Sequence, residues 1–196
     1  MTSNTPQHWI VVPCYNEADR LDGDAFASFA AAHSAVGFCF VNDGSADRTE
    51  AVLEQLVRRV PGSFLMLSLA DNRGKAEAVR AGVQHVLVER RPDWVGYWDA
   101  DLATPLDEIP RFLAEAACRP DCVMVLGSRV RRIGARVRRS NARHYLGRVF
   151  ATFASLMLGL PIYDTQCGAK IIRAGLAAEL FAEPFLTRWL FDVELF

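Results

Sequence analysis

Two aspartates separated by one residue, Asp99 and Asp101, carry the clearest chemistry in this sequence. Carboxylates spaced this way at a strand end can present oxygens to one hard cation, and that cation can bridge the oxygens of a diphosphate. A divalent ion there neutralises charge developing on a departing nucleoside diphosphate. Taken alone, the Asp99-Ala100-Asp101 triplet has a plainer reading, with Asp101 opening a turn and Asp99 a solvated strand end. Its company changes the weight. Pro13-Cys14-Tyr15-Asn16-Glu17, Asn42-Asp43-Gly44-Ser45, Asp71-Asn72-Arg73-Gly74-Lys75 and Gly127-Ser128-Arg129 also follow apolar runs. A single Asp-Gly or Asn-Gly pair is usually just a turn. Five strand ends that all deliver acids, glycines and cations point instead to a site. No G-x-G-x-x-G follows the first strand and no G-x-x-x-x-G-K-[ST] occurs, so dinucleotide and P-loop readings lose their main support.

The elements that must position these residues alternate along the chain. Apolar runs at Trp9 to Pro13, Phe38 to Asn42, Phe64 to Leu69, Trp94 to Trp98 and Val123 to Gly127 read as strands, with a short last one at Ala169 to Ile172. Helical spacing predicts helices over Ala25 to Ala32 with Asp24 as N-cap, from Ser45 or Asp47 through Val60, over Lys75 to Glu89, over Leu106 to Ala117 and over Asn141 to Leu158. That order predicts an α/β domain with a mainly parallel, Rossmann-like sheet flanked by helices. In such a sheet ligands bind beyond the carboxyl ends of the strands, where the polar clusters lie. No repeat, low-complexity tract or linker divides the 196 residues, so residues 1–196 form one domain.

Charge is strongly polarised. Arg129, Arg131, Arg132, Arg136, Arg138, Arg139, Arg143 and Arg148 fall in one stretch without an acid. Without those eight, 14 basic residues face 23 acids. Such a cationic pole suits a phosphate, a nucleic acid or an anionic membrane surface. The five cysteines are odd in number and scattered, which predicts reduced thiols in a cytosolic chain. Met1 to Gln7 lacks the apolar core of a signal peptide, and Val149 to Ile162 is too short to span a bilayer.

Seven pieces together resemble the family-2 glycosyltransferases of GT-A fold. They are VVPCYNE (11–17), VNDGSADRT (41–49), NRGKAEAVRAG (72–82), DADLATP (99–105), GSR (127–129), DTQCGAK (164–170) and RWLFDVEL (188–195), in the family's order. The likeness is to the branch, of the dolichyl-phosphate β-glucosyltransferase kind, that moves a hexose from a nucleotide sugar to a polyprenyl phosphate. It implies a UDP-glucose or GDP-mannose type of donor, a polyprenyl phosphate acceptor, Mg2+ or Mn2+, and peripheral contact with an anionic membrane at its cytoplasmic face, with no role for nucleic acid. By the same likeness Pro13, Tyr15 and Glu17 line the nucleotide pocket, Asp43 reads the base and Lys75 lies near the donor. Asp99 and Ala100 contact the donor, Asp99 and Asp101 are the metal ligands, and Asp101 and Asp164 are the catalytic residues, Asp164 as a base or an electrostatic orienter. Arg129, Arg139 and Arg143 bind the acceptor phosphate, as forked guanidinium groups suit phosphate oxygens. A lipid phosphate is already anionic, so Asp164 is expected to position rather than to abstract a proton.

Departures refine the resemblance. Ala103 stands where some lipid-phosphate mannosyltransferases of the group have a Gln ligand, which favours the glucosyl-like branch and makes Asp101 the firmer ligand. Phe185 stands in the Gln place of the Q-x-x-R-W of processive synthases, ahead of Arg188-Trp189, which argues against processivity. The chain ends at Phe196 within an expected helix, so a C-terminal truncation is expected.

Overall fold

The computed structural model describes residues 6–127, 167–187 and 191–195. Arg129, Arg139, Arg143, Asp164, the expected helix from Asn141 to Leu158 and Arg188-Trp189 lie outside the described residues.

Strands β1 (His8–Cys14), β2 (Val36–Asp43), β3 (Phe64–Leu69), β4 (Trp94–Trp98), β5 (Met124–Leu126) and β6 (Ala169–Arg173) form one sheet in the order β3-β2-β1-β4-β6-β5. The pairs β1–β2, β1–β4 and β2–β3 are parallel. β6 runs antiparallel to both β4 and β5, so β5 points the same way as the first four. All five strand ends singled out in the sequence therefore fall on one edge. β6 begins at that edge.

Helices α1 (Gly23–Ala32), α2 (Thr49–Arg59) and α4 (Glu108–Ala117) pack on one face, and α3 (Lys75–Arg90), α5 (Ala174–Leu180) and α6 (Phe191–Glu194) on the other. Period-two alternation divides each strand between the two faces. Ile10 and Val12 of β1 join Phe38, Phe40, Trp98 and Ile171 in the first layer, while Trp9 and Val11 join Cys39, Val41, Tyr97 and Ile172 in the second. Phe26, Phe38, Phe40 and Phe64 meet edge to face at 5.1–5.8 Å, adding geometric preference to burial worth about 1.5–3 kcal/mol per ring.

The helix starts differ from expectation where two acids compete for one cap. Asp22, not Asp24, accepts from the Ala25 amide at 2.9 Å, because the helix begins at Gly23. Asp24 lies in the first turn and pairs with Arg59 at 2.6 Å. At α2 the N-cap position is Arg48, whose side chain makes no capping bond, and Asp47 just before it accepts from the Thr49 amide at 2.9 Å.

Cys14, Cys39, Cys118 and Cys122 are free thiols. Burial pushes the Cys39 thiol up to about 12 and raises Cys14 as well, so neither yields thiolate at neutral pH. Alkylation of native protein at pH 8 is expected to label exposed Cys118 and spare Cys14 and Cys39 until unfolding, as read by peptide mass mapping. Labelling of Cys39 at the rate of Cys118 would contradict the burial.

Candidate active site

The chain builds from β1 outward to β2 and β3, then returns to add β4 on the other side of β1. That reversal opens a crevice outside the carboxyl ends of β1 and β4, the usual ligand position in open α/β sheets.

One rim of the crevice is two loops laced together. Asn16, in the left-handed region at φ 54°, donates its amide to Ser45 Oγ at 3.0 Å and accepts from the Ala46 amide at 2.9 Å. The Glu17 amide donates to Thr49 Oγ1 at 2.8 Å, and the Ala18 amide to Asp47 at 3.2 Å. The Thr49 hydroxyl bond, helped by the Thr49 and Ala18 amides, holds the Asp47 carboxyl below the usual range. This lacing presents Tyr15 at 46% exposure, enough ring surface for a base to stack on. Pro13 is half-buried within β1. Glu17 holds Arg20 at 2.5 Å through one oxygen, while its other oxygen is buried without a hydrogen-bond partner among the described residues.

Asp43 lies at the end of β2, where it meets the loop before α3. Its carboxylate is almost fully buried and accepts from the Arg73 amide at 2.8 Å and the Gly74 amide at 2.9 Å. It thereby ties the end of β2 to the loop that starts α3 at Lys75. Gly44 (φ 61°) lets the two segments touch: a Cβ there would lie 2.4 Å from the Asp71 carbonyl carbon. These contacts engage Asp43 as a loop brace.

The opposite rim is the end of β4. Lys75 Nζ reaches Asp99 Oδ1 at 2.5 Å, and both side chains keep some exposure, 23% and 30%. The Asp99 amide donates to the Gly168 carbonyl at 3.0 Å, extending the β4–β6 ladder by one bond. Gly168 lies so close that a Cβ would stand 1.8 Å from Asp99 Oδ2. Beyond Asp99 the backbone turns, with Leu102 at φ 52° and its amide on the Asp99 carbonyl at 3.2 Å. Trp98 Nε1 pins this turn at the Thr104 carbonyl, 2.7 Å away. Ala100 is buried on the α4 face. Asp101 is exposed, and one of its oxygens accepts from the Ala103 amide at 2.9 Å.

This donor set suits a hard cation shared with substrate. Among the described residues no three His, Cys, Asp or Glu side chains form a complete cage. Two carboxylates at one strand end, one already holding an ammonium group, match an ion that keeps its remaining positions for water and phosphate oxygens.

Behind Asp99 lies a cluster that sequence reasoning missed. Lys170, fully buried, pairs with Asp192, and the same carboxylate oxygen accepts from the Tyr97 hydroxyl. Lys170 Nζ also donates to the Cys167 carbonyl at 3.0 Å. Burial, reinforced by the Asp192 charge, raises the Tyr97 hydroxyl well above its ordinary range. Burial lowers the Lys170 ammonium, and Asp192 opposes that shift. The available signal was a lysine inside an apolar strand and an acid inside the apolar run of residues 190–195.

The structure thus joins Lys75 with Asp99, Asp43 with the loop before Lys75, and the Tyr15–Glu17 loop with residues 45–49. Residues 9–181 match the family described as Glycosyl transferase family 2. The chain belongs to glycosyltransferase family 2. Its relatives include the dolichyl-phosphate beta-glucosyltransferase of Drosophila melanogaster, 33% identical with 95% of this chain and 60% of that protein covered. The dolichyl-phosphate beta-glucosyltransferase of Mus musculus is 30% identical, with 98% of this chain and 63% of that protein covered. The chain spans about 60% of the length of the curated relatives it matches. Among solved structures, glucosyl-3-phosphoglycerate synthase from Mycobacterium tuberculosis in complex with UDP superposes with a TM-score of 0.66 at 17% identity, covering 97% of this chain and 64% of that one. A mannosyltransferase from Pyrobaculum calidifontis in complex with GDP-Man and Mn2+ gives 0.60 at 19% identity, covering 90% and 47%. The fold is GT-A, a mixed, mostly parallel six-stranded sheet flanked by helices. No helix among the described residues of this family-2 chain is long and apolar enough to cross a membrane.

Proposed function

We propose that this protein is an inverting hexosyltransferase that moves glucose from a UDP-glucose type of donor to a polyprenyl phosphate at the cytoplasmic face of a membrane. The observation that carries this reading is the edge where Lys75, Asp99 and Asp101 meet the crevice between β1 and β4. Relatives about 30% identical that are named dolichyl-phosphate beta-glucosyltransferases support the donor and acceptor.

In this reading Tyr15 and Pro13 take the base, and Glu17 accepts from a base or ribose donor through its unpartnered oxygen. Asp43 acts on the nucleotide through the loop it braces; a base N–H would meet it only at lone pairs left over from Arg73 and Gly74. Asp99 and Asp101 would hold Mg2+ or Mn2+, which supplies charge neutralisation at the diphosphate. Lys75 supplies a second positive charge beside it. An oxygen of the lipid phosphate attacks the anomeric carbon, the bond to the diphosphate oxygen breaks, and its electron pair leaves on UDP. No proton need move, so Asp164 orients rather than abstracts. Arg129, Arg139 and Arg143 would hold the acceptor phosphate, and approximating two anions that repel is a large share of the work.

Lys75 and the divalent ion would compete for Asp99. Lys75→Met is therefore expected to tighten Mn2+ binding in the absence of nucleotide while weakening UDP binding, both read by calorimetry. Weaker binding of Mn2+ alone would contradict the competition.

The test of function is product formation with UDP-glucose, GDP-mannose and a short polyprenyl phosphate, run beside hydroxyl acceptors. A β-glucosyl lipid phosphate from UDP-glucose is the expected product. Turnover only with a hydroxyl acceptor would make this a transferase with Asp164 as an obligatory base. UDP binding without turnover would make it a nucleotide-sugar-binding module docked on membranes through its arginines.

A further inference from the structure

The buried cluster behind the crevice uses three segments far apart in sequence, and none of its side chains is open to substrate. Tyr97 and Lys170 are register partners on β4 and β6, and Asp192 comes from α6. Two residues on from Tyr97 along β4 is Asp99; two residues back from Lys170 along β6 is Gly168. Period-two alternation puts all four on the sheet face that carries α3. On that face Gly168 touches Asp99 twice, by its carbonyl on the Asp99 amide and by its Cα packed against the carboxylate.

We infer that Lys170 and Asp192 are positioning residues: docked through Tyr97, they fix the Cys167–Gly168 backbone that cradles Asp99, so that α6 sets the geometry of the carboxylate gripping the donor. The link is short. Asp192 orients the Lys170 ammonium, the ammonium holds the Cys167 carbonyl at 3.0 Å, and the next residue is Gly168. Adhesion alone does not require these groups. Phe191 and Leu195 already bury α6 against Tyr97, Phe185 and α3. A buried ion pair is poor cement, because desolvation offsets its attraction, and apolar replacements of similar size are often neutral or stabilising. What apolar replacements could not do is hold a backbone carbonyl beside the donor site. The same segment closes on its neighbours through its second acid. Glu194 accepts from the Leu186 amide at 2.8 Å, the Thr187 amide at 3.0 Å and the Thr187 hydroxyl at 2.6 Å. Asp192 faces inward to the sheet and Glu194 holds the loop leading into the helix.

The consequence for donor binding rests on the function proposed above, but the coupling to Asp99 does not. The deciding pair of measurements is made on the Lys170→Met/Asp192→Leu double variant, which removes both charges together. Hydrogen exchange at the Asp99 amide is expected to quicken about 10-fold or more while amides of β1 and β2 keep their protection. The Mn2+-dependent part of UDP binding is expected to weaken by a similar factor, with Mn2+-independent binding held. Either an Asp99 amide protected as in wild type or an unchanged Mn2+-dependent affinity overturns the assignment. So does a variant that releases all strand amides together, since that marks a purely architectural pair. If the double variant does not fold, the near-isosteric Asp192→Asn is judged by the same two readouts. Should wild-type UDP binding show no Mn2+ dependence, the proposed metal role fails, and exchange at Asp99 alone decides the coupling.

Discussion

Replacing Gly168 by alanine is expected to lower transferase kcat/KM by about 100-fold or more while the protein stays folded. The added methyl would stand 1.8 Å from Asp99 Oδ2 and 2.2 Å from its carboxyl carbon, well inside van der Waals contact. Two relaxations are open. The Asp99 side chain can rotate away, which breaks its pair with Lys75. Alternatively the 167–168 backbone can shift, which breaks the bond from the Asp99 amide to the Gly168 carbonyl. Either moves the carboxylate proposed to grip the donor, and misplacement by an ångström at a reacting centre is enough for a loss of that size. Neither opens the core, so the melting temperature should change little. Steady-state kinetics with UDP-glucose, beside a thermal melt, check both halves. Wild-type kcat/KM in Gly168→Ala would show that Asp99 has no defined place in the reaction.

Asp43→Ala should act in the opposite sense, on stability first. The carboxylate satisfies two backbone amides at the start of α3, and its removal orphans the buried Gly74 amide and takes the acceptor from the part-buried Arg73 amide. A buried orphaned donor costs about 1–3 kcal/mol and a part-buried one less, so a loss of roughly 1–4 kcal/mol is expected by denaturant unfolding. Asp43→Asn keeps one acceptor but turns an amide toward the other N–H, and should fall between the two. UDP affinity should drop as well, because the loop carries Lys75. Full stability in Asp43→Ala, with UDP binding alone lost, would return Asp43 to the base-reading role that the family resemblance implies.

Those two residues also mark where sequence is informative and where it is not. The strands were legible almost residue by residue, Phe64–Leu69 and Trp94–Trp98 among them, because a sheet covered on both faces needs unbroken apolar runs. The direction of the first five strands then followed from alternation with helices, and the clustering of their polar ends followed from direction, whereas nothing in the sequence marks β6 as antiparallel. Helix starts were less legible, since Asp22 and Asp24 have the same chemistry and only the backbone decides which one caps. Asp43 showed its type but not its partners: sequence cannot say that the loop at 71–74 folds back onto it. Gly168 read as one glycine in a motif, with no sign that its missing side chain makes room for Asp99. Lys170 and Asp192 lie 22 residues apart and gain meaning only when β6 and α6 meet.

The carboxylates at the end of β4 are proposed to hold the donor through a divalent ion. Calorimetric titration of UDP into wild type and Asp101→Ala, each with and without Mn2+, tests it most directly. Asp101 is exposed and its only hydrogen bond among the described residues is to the Ala103 amide, so its loss should leave the fold intact. Mn2+ is expected to tighten UDP binding to wild type about 10-fold or more and to do nothing for Asp101→Ala. Equal UDP affinity in all four titrations would contradict it.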